Sequence, residues 1–593
     1  MGDRLLKGLI AFALTIGASA GTALADSTTV SSFDGTKIHV NYFPAPGLGP
    51  GARNATVLLG PGWSSPGDTS TTDSTDTSTG IPGVGTMLRA GFNVVTWDPR
   101  GFGSSGGMVE SDSPAYEGRD VSAIITWLAK QPQALLDAPG NPRVGMVGGS
   151  YGGGIQLDSA AIDPRIDAIV PDIAWNSLVT SLYKEQTVKQ GWANILYVLG
   201  KGNGHLDPMI DQSYETGLSG RPLTPAEVNF YATRGPGSLV SKIKIPTLLI
   251  QGTADNLFTL QEAVTNYSIL RHDGVPVKML WFCGGHGICL TNPGDTSLID
   301  KDTIAWLDRY LGRERGVSTG PTFEWVDENG AERTGGDYPL APGTPISAQG
   351  SGTLPITNAG GSGPVVPKQG ASATASVAAP ITPAKAASAV NVTIPAPHTT
   401  QLVVGAPELT ITYSGTGSGE NGTSARVFAQ VVDDATGLVL GNQITPVPIT
   451  LDGATHTFGE PLEVLSATRA PGQTFTLQLT ASTVAYAAQR ETGTVSFSKI
   501  AIELPTVDPS AAPPGYGAVA PNGCTDGGVV RIAMPKGTRS GYAAMGRHVI
   551  ARGRRALKLD LVGLGSGPVR IRIVTVGRTG HRRVATRTLR ACP

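Results

Sequence analysis

The chain has 593 residues, of which 40% are hydrophobic and 15% are charged, and this composition excludes a disordered protein. Its length exceeds what one hydrophobic core supports, so at roughly 150 residues per domain we expect three or four domains. The 45 Lys and Arg residues nearly balance the 46 Asp and Glu residues, but the charges are unevenly distributed along the chain. We expect no nucleic-acid partner.

The first 25 residues have the pattern of a secretory signal peptide. Arg4 and Lys7 precede an apolar run, and Ala-Leu-Ala at 23–25 forms a small-residue cleavage site before Asp26. No later stretch contains the roughly 18 consecutive apolar residues that span a bilayer. We therefore predict a secreted or cell-wall-associated protein whose mature chain begins at Asp26. An uncleaved N-terminal anchor is the alternative.

Between about residues 54 and 312, short apolar runs alternate with segments of helical periodicity. This alternation is typical of a largely parallel sheet covered by helices. Residues 178–240 interrupt it with aromatic and polar helical segments, which we interpret as a cap inserted over the sheet. Six strands are predicted, at residues 55–60, 92–98, 143–149, 166–171, 246–252 and 277–282.

Residues 148–152, Gly-Gly-Ser-Tyr-Gly, match the pattern G-x-S-x-G at the end of the predicted strand 143–149. In this context the pattern indicates a nucleophile elbow, a sharp strand-to-helix turn that exposes a serine. The neighbouring glycines allow strand and helix to approach closely. Ser150 is therefore the candidate nucleophile, and a glycine-rich turn with an inactive serine is the alternative.

A serine hydroxyl is a weak nucleophile and needs an imidazole base, which in turn needs a carboxylate that fixes its tautomer. Asp255 follows the predicted strand 246–252, and His286 follows the predicted strand 277–282. The chain order Ser, Asp, His is that of the α/β-hydrolase arrangement. We predict a triad in which Ser150 is the nucleophile, His286 the base and Asp255 the residue that orients the base.

The tetrahedral intermediate of such a reaction needs hydrogen-bond donors for its oxyanion. One is predicted to be the main-chain N–H of Tyr151, directly after the nucleophile. The other is predicted in the loop after the first core strand, at Gly62 or Trp63. Trp63 could donate its main-chain N–H or its indole N–H, and a packing role for this side chain is the alternative.

Four cysteines in an exported protein permit three disulfide pairings. We predict Cys283–Cys289, which closes a short loop around His286, and Cys524–Cys592, which ties the two ends of the C-terminal unit. A metal site at Cys283, His286 and Cys289 is the alternative, but it lacks a fourth ligand at suitable spacing.

The second half of the chain differs in character from the first. Residues 316–389 are rich in Gly, Ala, Pro and Ser and are predicted as a linker with irregular β segments. Period-two alternation predicts a β-sandwich over 390–505. A linker at 506–520 then leads into residues 521–593.

This C-terminal segment contains 15 Lys and Arg residues against two acids, Asp526 and Asp560. Such a basic module could contact an anionic cell wall or membrane surface, and a solvated basic face is the alternative.

Four stretches, GGSYGGGIQ, WDPRGFGSSGG, IKIPTLLIQGTADNLF and WLDRYLG, resemble the serine peptidase family of Xaa-Pro dipeptidyl-peptidases and cocaine-esterase-like hydrolases. The resemblance covers roughly residues 30–315. It implies an α/β-hydrolase domain at 26–315 with a helical cap at about 178–240, followed by a jelly-roll-like β-sandwich. It also implies the same triad and acyl-enzyme chemistry on an ester or amide, without metal or organic cofactor.

The chain departs from this family at two points. Members often supply an oxyanion hydroxyl from a tyrosine after the first core strand, whereas this chain has Trp63. A dipeptidyl-peptidase also needs acidic groups for the free ammonium of its substrate, and the sequence assigns none. The basic tail resembles small β-modules appended to exported actinobacterial proteins.

Three functions remain open on these residues. We favour a secreted serine hydrolase that cleaves small peptides in the manner of a Xaa-Pro dipeptidyl-peptidase. A carboxylesterase without peptidase activity is the first alternative. A catalytically inert cell-wall-binding protein is the second.

Overall fold

The computed structural model describes residues 26–72, 80–314, 316–366 and 373–508, and six segments between 529 and 590. The predicted signal peptide and the predicted Cys524–Cys592 pair lie outside the described residues.

A ten-stranded sheet forms the first half of the molecule, in the order β1-β2-β4-β3-β7-β8-β9-β10-β11-β12. The strands from β4 to β11 run parallel, and antiparallel strands close both edges. All six predicted strands are present. The strands are β1 (Asp26–Ser31), β2 (Lys37–Phe43), β3 (Thr56–Leu59), β4 (Asn93–Trp97), a separate hairpin of β5 (Leu136–Ala138) and β6 (Asn141–Pro142), β7 (Val144–Gly149), β8 (Ile166–Asp172), β9 (Thr247–Gly252), β10 (Val277–Phe282), β11 (Phe323–Val326) and β12 (Glu332–Gly335).

Both faces of this sheet are buried, because side chains alternate along each strand and helices cover each side. In β4, for example, Val94 and Val95 are both fully buried but belong to the cores on opposite faces. The helices are α1 (Val84–Arg89), α2 (Glu117–Leu128), α3 (Tyr151–Ile162), α4 (Leu178–Leu182), α5 (Gln190–Asn203), α6 (Pro208–Leu218), α7 (Pro225–Ala232), α8 (Leu260–His272) and α9 (Leu298–Tyr310).

Helices α4 to α7 form the cap predicted from the sequence. They lie between β8 and β9 in the chain, and two 3₁₀ turns, Lys184–Gln186 and Gly237–Lys242, accompany them. Helix α7 begins with a complete capping box, in which Thr224 accepts from the Glu227 N–H and Glu227 accepts from the Thr224 N–H. The α/β domain with a helical cap is thus confirmed.

The predicted β-sandwich is also confirmed. Two four-stranded antiparallel sheets, β13-β22-β16-β19 and β14-β21-β17-β18, enclose a core that includes Ile411, Leu477 and Phe497, and a three-stranded sheet β20-β15-β23 flanks them. The elements are β13 (Ile346–Ile356), α10 (Ala373–Ala378), β14 (Val390–Ile394), β15 (Gln401–Gly405), β16 (Glu408–Gly419), β17 (Ser424–Asp433), a 3₁₀ turn (Leu440–Asn442), β18 (Thr445–Thr450), β19 (Asp452–Pro461), β20 (Leu465–Arg469), β21 (Phe475–Thr480), β22 (Glu491–Leu504) and β23 (Thr506–Val507).

The structure differs from the sequence prediction between residues 316 and 389. Strands β11 and β12 extend the large sheet beyond residue 315, and β13 is a full strand of the sandwich. Alternation in β13 is weak because Gly350 and Gly352 face valines of the opposing sheet. A Cβ at either glycine would lie 2.7 Å from Val392 or Val390. The glycines leave room for these valines, and so the strand lacks an apolar signal of its own.

The C-terminal segment is also built of strands, in a pair β24-β27 and a four-stranded sheet β26-β25-β28-β29. They are β24 (Val529–Ala533), β25 (Thr538–Met545), β26 (His548–Gly553), β27 (Ala556–Asp560), β28 (Pro568–Gly577) and β29 (Arg582–Arg590). Among the described residues, no helix has both the length and the apolar character needed to cross a bilayer.

Candidate active site

Ser150 occupies a sharp turn between β7 and α3. Its backbone lies at φ 56° and ψ −119°, a region that a residue with a side chain rarely adopts. The Ser150 N–H donates to the Asp172 carbonyl at 3.0 Å, and the Ser150 carbonyl accepts from the N–H groups of Gly153 and Gly154. These three hydrogen bonds hold the strained turn in place.

The glycines around Ser150 are required by the approach of strand β3. A Cβ on Gly148 would lie 2.6 Å from the Gly60 carbonyl oxygen, and a Cβ on Gly152 would collide with the same atom. The end of β3 therefore packs directly against the backbone of the turn, as expected for a nucleophile elbow.

The structure brings together the three residues of the predicted triad. The distance from His286 Nε2 to Ser150 Oγ is 2.7 Å, and that from His286 Nδ1 to Asp255 Oδ2 is also 2.7 Å. Asp255 is fully buried, and its Oδ1 accepts from the N–H groups of Leu257 and Phe258 at 2.9 Å. Its Oδ2 also accepts from the His286 N–H at 3.2 Å. Hydrogen bonds to both oxygens thus fix the carboxylate toward the imidazole.

Residues 283–289 form a tight loop that presents His286. Gly285 has a φ of 103°, and a Cβ on Gly287 would collide with the Ala254 carbonyl. A disulfide joins Cys283 and Cys289, which confirms this predicted pair. Both sulfurs are therefore engaged and are not metal ligands. Among the residues that the structure describes, no group of His, Cys, Asp or Glu side chains is arranged to hold a metal ion.

Two of the predicted oxyanion residues, Tyr151 and Trp63, line the same cavity as Ser150. Tyr151 is the first residue of helix α3, so its N–H has no partner within the helix. The indole N–H of Trp63 donates to the Leu196 carbonyl in the cap at 2.8 Å, and the ring packs edge-on against Phe102 and Tyr151. The indole N–H is therefore bonded to a carbonyl of the cap and does not point at an oxyanion, which corrects the prediction that this group could be an oxyanion donor. The main-chain N–H groups of Gly62 and Trp63 stay predicted donors.

An apolar cavity of about 120 Å³ opens beside Ser150, between the sheet and the cap. Within the described part of the chain, no Asp, Glu, Lys or Arg side chain lines it. Most of its walls come from cap residues that were not predicted as site residues. The aromatic content of residues 178–240 is the one sequence feature that indicates them. The aromatic members of the lining are Trp63, Tyr151, Trp175, Tyr183, Tyr197, Tyr214, Tyr231 and Phe258.

A group of buried acids lies behind the nucleophile turn. The Tyr151 hydroxyl donates to Glu117 Oε1 at 3.3 Å and accepts from the Asp112 N–H at 3.3 Å. Burial raises the pKa of Glu117 to about 7, although the N–H groups of Glu110 and Ser113 donate to this carboxyl group and oppose the shift. Burial likewise raises the pKa of Asp112 well above its usual range. Sequence reasoning missed this group.

Residues 34–287 match the family model described as X-Pro dipeptidyl-peptidase of the S15 family. The matched segment contains Ser150, Asp255 and His286, and the family resemblance expected from the sequence is confirmed over it.

Two curated relatives match shorter or weaker segments. An uncharacterized 31.7 kDa protein of Escherichia coli, from the traX-finO intergenic region, is 38% identical over 89 residues, 15% of this chain. The match spans only 29% of the length of that relative. A polyketide transferase of Gibberella fujikuroi is 28% identical over 252 residues, 42% of this chain and 68% of the relative.

A solved structure of an α-amino acid ester hydrolase superposes with a TM-score of 0.62 at 14% sequence identity. The superposition covers 83% of this chain and 99% of that one. At this identity the likeness shows the fold alone, and it extends over both the catalytic domain and the sandwich.

Proposed function

We propose that the protein is a serine hydrolase that cleaves ester or amide bonds through a Ser150–His286–Asp255 triad. The match of residues 34–287 to the S15 family model supports this proposal. The single observation that carries the proposal is the continuous row of hydrogen bonds from Ser150 Oγ through the imidazole to the buried carboxylate of Asp255. Such a row is the arrangement that activates a serine hydroxyl.

In the first half of the reaction, Ser150 Oγ forms a bond to the substrate carbonyl carbon while His286 Nε2 accepts the hydroxyl proton. The oxyanion receives hydrogen bonds from the Tyr151 N–H and from an N–H of Gly62 or Trp63. His286 then returns the proton to the leaving alcohol or amine as the carbonyl–heteroatom bond breaks. Water releases the acyl group from Ser150 by the same steps, with His286 again as base.

We propose that the preferred substrates are esters with an uncharged, apolar acyl group. The cavity beside Ser150 has aromatic and aliphatic walls and no charged side chain among the described residues. A free ammonium group would lose its hydration there without gaining a carboxylate partner. Dipeptide release in the manner of a Xaa-Pro dipeptidyl-peptidase is the second candidate, and the family match favours it.

A substrate series separates the two candidates. With p-nitrophenyl esters of increasing acyl length, each added methylene should raise kcat/KM about three- to fourfold until the cavity is filled, because each buried methylene contributes about 0.8 kcal/mol. Gly-Pro-p-nitroanilide should be turned over far more slowly than these esters. Efficient turnover of the anilide, together with a flat dependence on acyl length, would support the dipeptidyl-peptidase instead.

Replacing Ser150 with Ala should lower kcat for every substrate by at least about 10⁴-fold, because the nucleophile is lost while the binding residues remain. A fluorophosphonate probe should label the unmodified protein and not the variant. Ser111→Ala is the matched control, since Ser111 lines the cavity but lies outside the triad. Near-normal turnover by Ser150→Ala would exclude the triad, and an unlabelled wild-type protein would favour the inert binding protein.

We also propose that the protein is exported and that its basic C-terminal module contacts an anionic surface. The N-terminal pattern up to Ala25 and the excess of Lys and Arg after residue 520 support these two points. Mass spectrometry of the mature N-terminus tests the first. An N-terminus at Asp26 is the expected result, and retention of residues 1–25 would contradict it.

A further inference from the structure

A turn of the β-sandwich contacts the loop that carries Asp255. The Asn442 side-chain amide donates to the Ile288 carbonyl at 2.8 Å and to the Ala254 carbonyl at 3.4 Å. The Gln443 side-chain amide donates to the Asp255 carbonyl at 2.8 Å. The acceptors belong to two loops, the one that carries Asp255 and the one that carries His286, so the turn bridges them.

The backbone of this turn is shaped for close contact with the catalytic domain. Gly441 and Asn442 have φ values of 58° and 56°, and Asn tolerates this region better than most residues. A Cβ on Gly441 would lie 2.7 Å from the Thr253 carbonyl oxygen. Asn442 and Gln443 are both buried, so the loss of either amide would leave carbonyl groups without a partner and without water.

The cap holds the same loop from another side. Lys189 Nζ donates to the Leu257 carbonyl at 2.9 Å, and the Trp192 indole N–H donates to Asn256 Oδ1 at 2.9 Å. The loop is therefore held by hydrogen bonds from the cap of its own domain as well as from the sandwich. Within the catalytic domain, the Gln251 side-chain amide also donates to the Phe258 carbonyl at 2.6 Å, whereas the side chains that donate to the Ala254 and Asp255 carbonyls come from the sandwich.

We propose that Asn442 and Gln443 are positioning residues for the reaction, through which the β-sandwich completes the active site. They hold the Asp255 loop and the His286 loop at the separation that the hydrogen-bond row requires. A displacement of about 1 Å between catalytic groups can cost about 100-fold in rate. The inference rests on the proposed function, because it assumes that Asp255 acts through His286.

Two variants of the full chain test the proposal. Asn442→Gly retains the positive φ and removes the amide, and Gln443→Met retains the length of the side chain and removes its donor. Each should lower kcat for a p-nitrophenyl ester at least tenfold while KM changes less than twofold. The rate constant for fluorophosphonate labelling should fall in parallel, because it reports the reactivity of Ser150 without a leaving-group or release step of the ester.

Gln478→Met is the matched control. Gln478 is as deeply buried in the sandwich, but its amide donates only to Ala386 and Asn391 of the same domain. We expect it to lower the unfolding temperature without changing kcat per active site. Titration with the fluorophosphonate gives the concentration of active sites in each variant. Only variants whose unfolding temperature lies above the assay temperature are compared, so that every rate refers to folded enzyme.

The outcomes separate this inference from the proposed function. If Ser150→Ala is inactive but kcat per site of the Asn442 or the Gln443 variant stays within twofold of wild type, the positioning role is wrong. If Gln478→Met lowers kcat as strongly as they do, the effect is one of domain stability and the positioning role is also wrong. If Ser150→Ala retains activity, the triad itself fails. Because the two amides are removed separately, either folded variant decides the question.

Discussion

At the scale of single residues, the G-x-S-x-G pattern is informative because it specifies backbone geometry. Ser150 has the strained φ that this turn requires, and the absence of a Cβ at Gly152 admits the Gly60 carbonyl. The position of the Trp63 indole could not be predicted in the same way. Its acceptor, Leu196, lies 133 residues away in the chain, and no local pattern records such a contact.

Gly152→Ala should destabilise the catalytic domain by about 2 kcal/mol, because the added methyl group overpacks against Gly60. Helix propensity alone predicts the opposite sign, a gain of up to about 1 kcal/mol. Gly202→Ala in the cap helix is the control, since a Cβ there has no neighbour within 4 Å. Thermal and urea unfolding measure both variants, and a stabilised Gly152→Ala would contradict the packing argument.

Glu117 should make stability depend on pH. Because its pKa is raised from 4.5 to about 7 in the folded protein, its favourable contribution is fully present below pH 4.5 and is lost as the pH rises through 7. The wild-type free energy of unfolding minus that of Glu117→Gln should therefore fall by about 3 kcal/mol between pH 4.5 and pH 8. Urea unfolding at both pH values measures this, and a constant difference would contradict it.

At the scale of elements, the sequence predicts six strands at the centre of the large sheet and misses β11, which is fully buried as well, and the glycine-rich strand β13 of the sandwich. Strand β7 is a continuous buried run and is evident from the sequence. Strand β13 falls within the predicted linker, because its glycines make room for side chains of a sheet that begins only at Val390. The cap is recognisable as helical, but which of its side chains face Ser150 depends on how α4 to α7 pack.

Helix α5 of the cap is tied to the sheet domain by the Trp63 indole, which donates to the Leu196 carbonyl. Trp63→Phe removes this bond and keeps the main-chain N–H. We expect KM for long-chain esters to rise several-fold, because the cap wall of the cavity loosens, while turnover at saturating ester changes less than about threefold. If turnover instead falls by about two to three orders of magnitude, the indole is an oxyanion donor.

At the scale of the whole molecule, the docking of the sandwich on the catalytic domain is beyond sequence reasoning. Glu463 of the sandwich is buried between Lys184 of the cap, at 2.6 Å, and Thr259 of the catalytic domain, at 2.7 Å. These pairs join residues that are 279 and 204 positions apart. Periodicity identifies a domain, but it carries no information about which face of that domain meets another.

Removal of the chain after Asp508 should leave activity unchanged and weaken binding to anionic surfaces. The cut follows β23, the last strand paired with the sandwich domain, and it removes the segment with 15 basic and two acidic residues. Ester turnover and co-sedimentation with anionic cell-wall polymer at low and high salt measure the two effects. Equal sedimentation of both forms would contradict a role of the module in surface contact.

The triad residues precede Asn442 and Gln443 by more than 150 positions in the chain, and this separation has a consequence for biosynthesis. A ribosome that adds 5–20 residues per second needs roughly ten to thirty seconds to pass from His286 to Gln443. Throughout that interval the nascent polypeptide already contains its nucleophile, base and acid but not the amides that align them. On the proposed positioning role, the nascent enzyme reaches its full activity only after the sandwich turn at Asn442 and Gln443 has been synthesised and has docked on the catalytic domain.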